Sequence, residues 1–219
     1  ANTSGLADAD GLGVFSYQWQ RDGDDIDGAT ASTYTLTQAD VGAQITVVGS
    51  YTDGRGTPES VLSAATASIT NVNTSPTGDV AITGTATQGA TLTADASALD
   101  DADGLGALSY QWKADGINIS GATGSTYTLT QAEVGKVITI AVSYTDDGST
   151  AESVISAATA AVENVNDDPI GAVMITGTPT QGETLIANNT LADADGLGAL
   201  GYVWKAGGAV IAGATASTY

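Results

Sequence analysis

Residues 101–113 read DADGLGALSYQWK, and this stretch decides the fold because close copies of it stand at 8–20 and 193–205. The tryptophans near its end, Trp19, Trp112 and Trp204, are 93 and 92 residues apart. A period of that length corresponds to one whole domain, because the units of solenoids and propellers run about 20–50 residues. The sequence therefore predicts consecutive domains with a period of 92–93 residues.

The register of the repeats sets the predicted domain boundaries. Residues 73–165 form a complete repeat, 1–72 a repeat that lacks its first strands, and 166–219 a repeat that lacks its last strands. This register predicts a window cut from a longer protein, in which neighbouring repeats of the same protein are the expected partners.

The segments between turns predict an all-β chain. Apolar and polar residues alternate with period two, Thr, Val, Ile and Tyr are abundant, and no apolar stripe with a period of 3.6 occurs. Every second residue of the stretch 136–144 should point into the core, namely Ile138, Ile140, Val142 and Tyr144. In the complete repeat we expect strands near 79–84, 90–95, 107–113, 117–119, 125–130, 136–145 and 151–162.

Composition and charge exclude several classes of function. Twenty-five acidic and five basic residues give a net charge of −20, which repels nucleic-acid phosphates and attracts cations. The chain has no Cys and no His, so it lacks thiol nucleophiles, histidine bases and the usual zinc ligands. No apolar stretch reaches the roughly 18 residues of a membrane helix. We therefore expect no nucleic-acid partner, no membrane insertion in this segment and no enzymatic activity.

Three motifs of the middle repeat resemble an immunoglobulin-like domain. Tyr110-Gln111-Trp112-Lys113 is similar to its strand C, residues 125–130 (STYTLT) to its strand E, and residues 132–135 (AEVG) to its E–F corner. The whole chain resembles the tandem Ig-like extender repeats of large bacterial surface adhesins of the RTX type. The resemblance implies tandem immunoglobulin-like β-sandwich domains, core positions for the three tryptophans, and an extracellular or cell-surface location.

The same resemblance brings the acidic residues together. In an immunoglobulin-like domain the B–C loop, the F–G loop and the entering linker lie at one end. Such oxygen ligands suit Ca²⁺, which accepts six to eight oxygens from Asp, Asn, carbonyls and water with loose geometry. The predicted calcium ligands at the start of the middle repeat are Asn71, Asn73, Asp100, Asp101, Asp103, Asp146 and Asp147. Their counterparts are Asn164, Asn166, Asp167, Asp168, Asp193 and Asp195 at the next junction, and Asp8, Asp10 and Asp53 in the first repeat.

Two comparisons refine the calcium prediction. The linker at 164–169 (NVNDDP) resembles the calcium-binding linkers of cadherins. An EF-hand is excluded, because Trp112 stands where the twelfth-position Glu of a loop starting at Asp101 would be. Acidic loops of this kind are also compatible with plain solvated turns. We interpret one acidic run in that way, the hairpin residues Asp22, Asp24, Asp25 and Asp27.

These features predict a structural extender or fibre segment that calcium makes rigid at the junctions between domains. Two alternatives stay open at this stage. The repeats could form an adhesin module that binds a glycan or a protein, although aromatic residues are few and mostly on strands. They could also form a filament of identical chains, in which the incomplete last repeat of one chain is completed head to tail by the incomplete first repeat of the next.

Overall fold

The computed structural model describes all 219 residues and shows an all-β chain with two single-turn 3₁₀ helices, Gln38–Asp40 and Gln131–Glu133. Neither turn is long and apolar enough to cross a membrane. The chain divides into two compact units. The first contains Ala1–Gly78, Leu99–Leu108 and Ser143–Ser153; the second contains Asp79–Ala98, Ser109–Val142 and Val154–Tyr219.

Fifteen strands carry the fold, and they are numbered here in chain order. Within residues 1–72 they are β1 Ser16–Arg21, β2 Asp24–Asp25, β3 Ile45–Thr52 and β4 Pro58–Leu62. Within residues 73–165 they are β5 Ala81–Thr83, β6 Thr91–Asp95, β7 Ser109–Ala114, β8 Ile117–Asn118, β9 Thr126–Thr128, β10 Ile138–Thr145 and β11 Ala151–Ile155. Within residues 166–219 they are β12 Val173–Thr176, β13 Ile186–Asn189, β14 Lys205–Ala206 and β15 Ala209–Val210.

The sheets repeat the same order along the chain. Strands β2-β1-β3-β4 form one four-stranded sheet, and β8-β7-β10-β11 form its counterpart 93 residues later. A three-stranded sheet, β5-β6-β9, belongs to the middle repeat, and the pairs β12-β13 and β14-β15 to the last. This all-β arrangement of several antiparallel sheets is consistent with a β-sandwich.

The predicted strands of the middle repeat are confirmed in place, apart from the last one. Ile138, Ile140 and Val142 are fully buried and Tyr144 is 4% exposed, while Val137 is 37% exposed, so the predicted alternation is confirmed. The hairpin turn at 115–116 takes the expected positive φ, 48° and 79°. The strand predicted over 151–162 ends at Ile155, so its second half is wrong.

Side-chain hydroxyls explain the early end of β11. Ser156 Oγ accepts a hydrogen bond from the Ile140 N–H at 3.1 Å, and Thr159 Oγ1 accepts one from the Ile138 N–H at 3.0 Å. These side chains take the place of carbonyls in the ladder, so the chain follows β10 without forming a regular strand. In the first repeat Ser63 and Thr66 do the same beside β3.

Two of the three tryptophans lie in the core, as predicted. Trp112 is fully buried and Trp204 is 7% exposed, whereas Trp19 is half-buried. Each indole N–H donates at 2.9 Å to a backbone carbonyl twelve residues on, and each ring packs beside a tyrosine, for Trp112 at a centroid distance of 6.2 Å from Tyr127. Burying a large ring with its polar N–H satisfied makes it the main apolar anchor of a repeat.

A buried carboxylate closes the turn that precedes β3. Asp40 is 0% exposed, and it accepts hydrogen bonds from the Thr37 N–H at 2.7 Å and from the Tyr34 hydroxyl at 2.9 Å. The Arg21 guanidinium lies 2.7 Å from the same carboxylate. Burial disfavours the charged form, but these donors together outweigh it and lower the pKa of Asp40 to about 2.

We expect Asp40→Asn to destabilise the first repeat by about 1–3 kcal/mol at neutral pH, because Arg21 and Tyr34 lose their charged acceptor. The lowered pKa means that this stabilisation is present above the ordinary value of 3.8 and is lost as pH falls through about 2. Urea unfolding of both proteins at neutral pH and below pH 3.8 measures the difference. A stability gap that does not narrow as the pH falls would contradict the assignment.

Candidate metal centre

The linker 71–76 is tied to residues on both sides of it in the sequence. Gln38 Nε2 donates to Asn71 Oδ1 at 3.2 Å, and Asn73 Nδ2 donates to Glu152 Oε1 at 2.8 Å. The backbone N–H of Thr74 donates to Asp103 Oδ2. The linker and the segments that contain Asp103 and Glu152 belong to the same compact unit. The linker therefore meets the acidic loop at Asp103.

Asp101 shapes the acidic loop 100–104. Its Oδ1 accepts from the Asp103 N–H at 2.9 Å, and its Oδ2 accepts from the Tyr144 hydroxyl at 2.5 Å. Burial, and then the bond to Asp101, raise the pKa of Tyr144, so the hydroxyl keeps its proton at physiological pH. Both oxygens of Asp101 are thus used to hold the loop in shape.

The turn 146–149 joins this loop. Asp146 Oδ1 accepts from the Thr150 N–H at 2.6 Å, which closes the turn locally. The backbone N–H of Asp147 donates to the Asp103 carbonyl at 3.1 Å and fixes the turn against the loop. Glycines permit this close approach, since a Cβ on Gly104 would overlap the Asp147 carboxylate and one on Gly148 would overlap the Asn71 amide.

Two buried carboxylate oxygens at this place have no hydrogen-bond partner. Asp103 is 3% exposed and Asp146 is 5% exposed, yet Asp103 Oδ1 and Asp146 Oδ2 accept no hydrogen bond. A buried polar atom without a partner costs about 1–3 kcal/mol, and a charged one costs more. The junction therefore presents two buried carboxylate oxygens that no protein group compensates.

The oxygen donors at this place come from several kinds of group, and calcium is the ion that accepts such a mixture. No three Asp or Glu side chains are gathered into a metal-ligating group. Ca²⁺ also takes amide and backbone carbonyl oxygens and waters, and its geometry is loose. The Asn71 amide lies against Gly148, in the turn that contains Asp146, and the exposed Asp147 carboxylate lies against Gly104, in the loop that contains Asp103. We name the two unpaired carboxylates and the linker amide, Asp103, Asp146 and Asn71, the junction site.

Two of the predicted ligands have a different placement. Asp100 is exposed, and its backbone pairs with Thr77, with N–H to carbonyl distances of 2.7 and 2.9 Å. The side chain of Asn73 is exposed and turned to Glu152. The structure therefore does not bring these two side chains to the unpaired oxygens.

The second junction has the same backbone-to-carboxylate bond. The Asp167 N–H donates to Asp195 Oδ2 at 2.8 Å, as Thr74 does to Asp103. Gln88 holds this linker as well, donating to Asp167 Oδ2 at 2.8 Å and accepting from the Val165 N–H at 3.0 Å. The other predicted ligands here are the exposed Asn164, Asn166 and Asp168, and the half-buried Asp193, whose Oδ1 accepts from the Asp195 N–H at 2.9 Å.

The first repeat contains a third acidic cluster, formed by Asp8, Asp10 and Asp53. Tyr51 donates to Asp8 Oδ2 at 2.8 Å, and this bond raises the pKa of Tyr51 to about 12. Asp53 Oδ1 accepts from the Thr57 N–H at 2.7 Å, which is the leading cause of its lowered pKa. Asp10 pairs with the guanidinium of Arg55 at 2.9 Å. This cluster already contains a positive charge of its own.

The acidic run 22–27 is confirmed as a solvated hairpin. Asp22, Asp24, Asp25 and Asp27 are all exposed, and Asp22 Oδ1 accepts from the Gln44 N–H at 2.8 Å. Asp22 itself takes a φ of 47°, in the left-handed region that such turns need.

Sequence reasoning missed four side chains that organise these sites. Tyr144 and Tyr51 each follow their aspartate by 43 residues, so the repeated spacing could have revealed them. Arg55 stands where the middle repeat has Gly148, a difference that an alignment of the two repeats displays directly. Gln88 gives no sequence signal, because its role depends on how the linker passes it.

No protein-family model matches the chain, and comparison with curated proteins finds no significant match.

Proposed function

We propose that this chain is a structural extender segment of an extracellular surface protein, built from tandem immunoglobulin-like domains that calcium makes rigid at their junctions. The observation that carries the proposal is the junction site, where two buried carboxylate oxygens lack a partner directly beside the linker. The absence of His and Cys and the net charge of −20 fit a cation-dependent structural role.

The proposed mechanism is electrostatic and mechanical. Without a cation the acidic loop and turn repel each other, and the linker is held by few hydrogen bonds. A bound Ca²⁺ reverses the sign of the interaction between Asp103 and Asp146 and joins them to linker residue Asn71. It then stabilises the domain by mass action and restricts the angle at which consecutive domains pivot. Extracellular calcium modules bind with a Kd of about 10⁻⁴–10⁻³ M, so such a site fills outside a cell and empties inside one.

Calcium titration of the whole chain tests this proposal. We expect the melting temperature and the maximum dimension from small-angle scattering to rise together as calcium reaches about 10 mM. Magnesium at equal concentration is the control, because its strict octahedral preference should give little effect. Unchanged melting temperature and length at saturating calcium would remove the proposal.

A further inference from the structure

We infer that Arg55 takes the place of the bound cation in the first repeat, so that the cluster Asp8, Asp10 and Asp53 needs no calcium. The inference rests on the proposed function, since it concerns which repeats require the ion. It predicts that repeats with the same backbone arrangement differ in calcium dependence because one of them carries an arginine beside its acidic cluster.

The acidic loops of the first and middle repeats have the same backbone hydrogen bonds. Asp10 and Asp103 donate their N–H to the aspartate two residues before them, at 2.8 and 2.9 Å. The Gly54 N–H reaches the Asp10 carbonyl at 3.1 Å, and the Asp147 N–H reaches the Asp103 carbonyl at 3.1 Å. The backbone of the two loops therefore has the same arrangement, and the side chains determine whether an arginine or a bound calcium ion balances the carboxylates.

The side chains differ at two neighbouring positions. The first repeat has Gly54-Arg55 where the middle repeat has Asp147-Gly148. Arg55 Nε lies 2.9 Å from Asp10 Oδ1, and Asp103, the counterpart of Asp10, leaves its own Oδ1 without a partner.

The acidic clusters of the first and middle repeats also differ in local charge. The first repeat sets three carboxylates against one guanidinium, whereas the middle repeat has Asp100, Asp101, Asp103, Asp146 and Asp147 in the corresponding segments and no basic residue there. A guanidinium is always charged and forms directed bonds to carboxylates, so it can compensate permanently what a divalent ion compensates reversibly. The first repeat is thus expected to keep its acidic end ordered whatever the calcium concentration.

Hydrogen-exchange mass spectrometry of the full chain, with chelator and with about 10 mM calcium, tests the inference locally. In the wild type we expect calcium to slow exchange in 100–104 and 146–150 by up to about 100-fold and to leave 8–11 and 53–57 unchanged. Arg55→Gln should speed exchange in 8–11 and 53–57 without calcium and make it calcium-sensitive. Arg55→Lys, which keeps the positive charge, is the matched control and should leave exchange in 8–11 and 53–57 insensitive to calcium.

The outcomes separate this inference from the proposed function. Slowing of 8–11 by calcium in the wild type, or calcium-insensitive exchange there in Arg55→Gln, would overturn the role of Arg55 while leaving the junction site in place. Equal calcium sensitivity of 8–11 and 53–57 in Arg55→Lys and Arg55→Gln would also overturn it, because the charge at position 55 would then not be responsible. Absence of any calcium effect in 100–104 of the wild type would overturn the proposed function, and this inference with it.

Discussion

The double substitution Asp103→Asn/Asp146→Asn is expected to abolish the calcium-dependent rise in the melting temperature of the middle repeat. At each position asparagine keeps the oxygen that accepts from the Thr74 or Thr150 N–H, and the amide NH2 group replaces the unpaired oxygen. At about 100 times the Kd, calcium should stabilise the wild type by about 2.7 kcal/mol. For a domain of this size that corresponds to a shift of about 10–20 °C, measurable by scanning calorimetry.

The calcium-free state of this variant supplies a second readout. Removing two uncompensated buried charges should leave the apo protein at least as stable as the wild type, which a misfolded variant would not be. Asp10→Asn/Asp53→Asn is the matched control in the first repeat, and it should keep the full calcium shift of the middle repeat. A double variant that still gains several degrees with calcium would show that the ion binds elsewhere.

Trp112→Ala is expected to destabilise the middle repeat by about 3–5 kcal/mol, the cost of removing a buried Trp and leaving a cavity. Trp112 is fully buried, and its N–H donates to the Gly124 carbonyl. Since a domain is stable by only about 5–15 kcal/mol, this change removes much of what keeps the repeat folded. Urea unfolding followed by circular dichroism measures the loss.

Trp19→Ala is the matched control for this prediction. Trp19 has the same strand position and the same kind of N–H bond, to the Ala31 carbonyl, but it is half-buried. We therefore expect a smaller loss, confined to the first repeat. Equal losses in the two variants would mean that the depth of burial does not determine the contribution of these rings.

Strand positions could be predicted from the sequence because they depend on local alternation and on turn residues. The buried face of β10 and the turn at 115–116 follow from period two and from Asp-Gly, and both are confirmed. The end of β11 could not be predicted in this way. It depends on the Ser156 and Thr159 hydroxyls replacing ladder carbonyls, which is a matter of tertiary register.

The candidate site was predictable as a set of acidic segments and unpredictable in the role of each carboxylate. The resemblance to an immunoglobulin-like domain implies that Asp101, Asp103 and Asp146 are close, but it does not distinguish a carboxylate used to shape the loop from one left unpaired. That distinction depends on single partners, such as the Tyr144 hydroxyl on Asp101 and the Thr74 N–H on Asp103. For the same reason Asp10 was predicted as a ligand, although Arg55 already neutralises it.

A crystal structure of the chain grown in about 10 mM calcium tests the central claim most directly. We predict one cation bound by Asp103 Oδ1 and Asp146 Oδ2 at about 2.3–2.6 Å, with linker residue Asn71 completing its coordination from the neighbouring repeat. A map in which these two oxygens bind only water, and in which no calcium lies at the linker 71–76, would contradict the account.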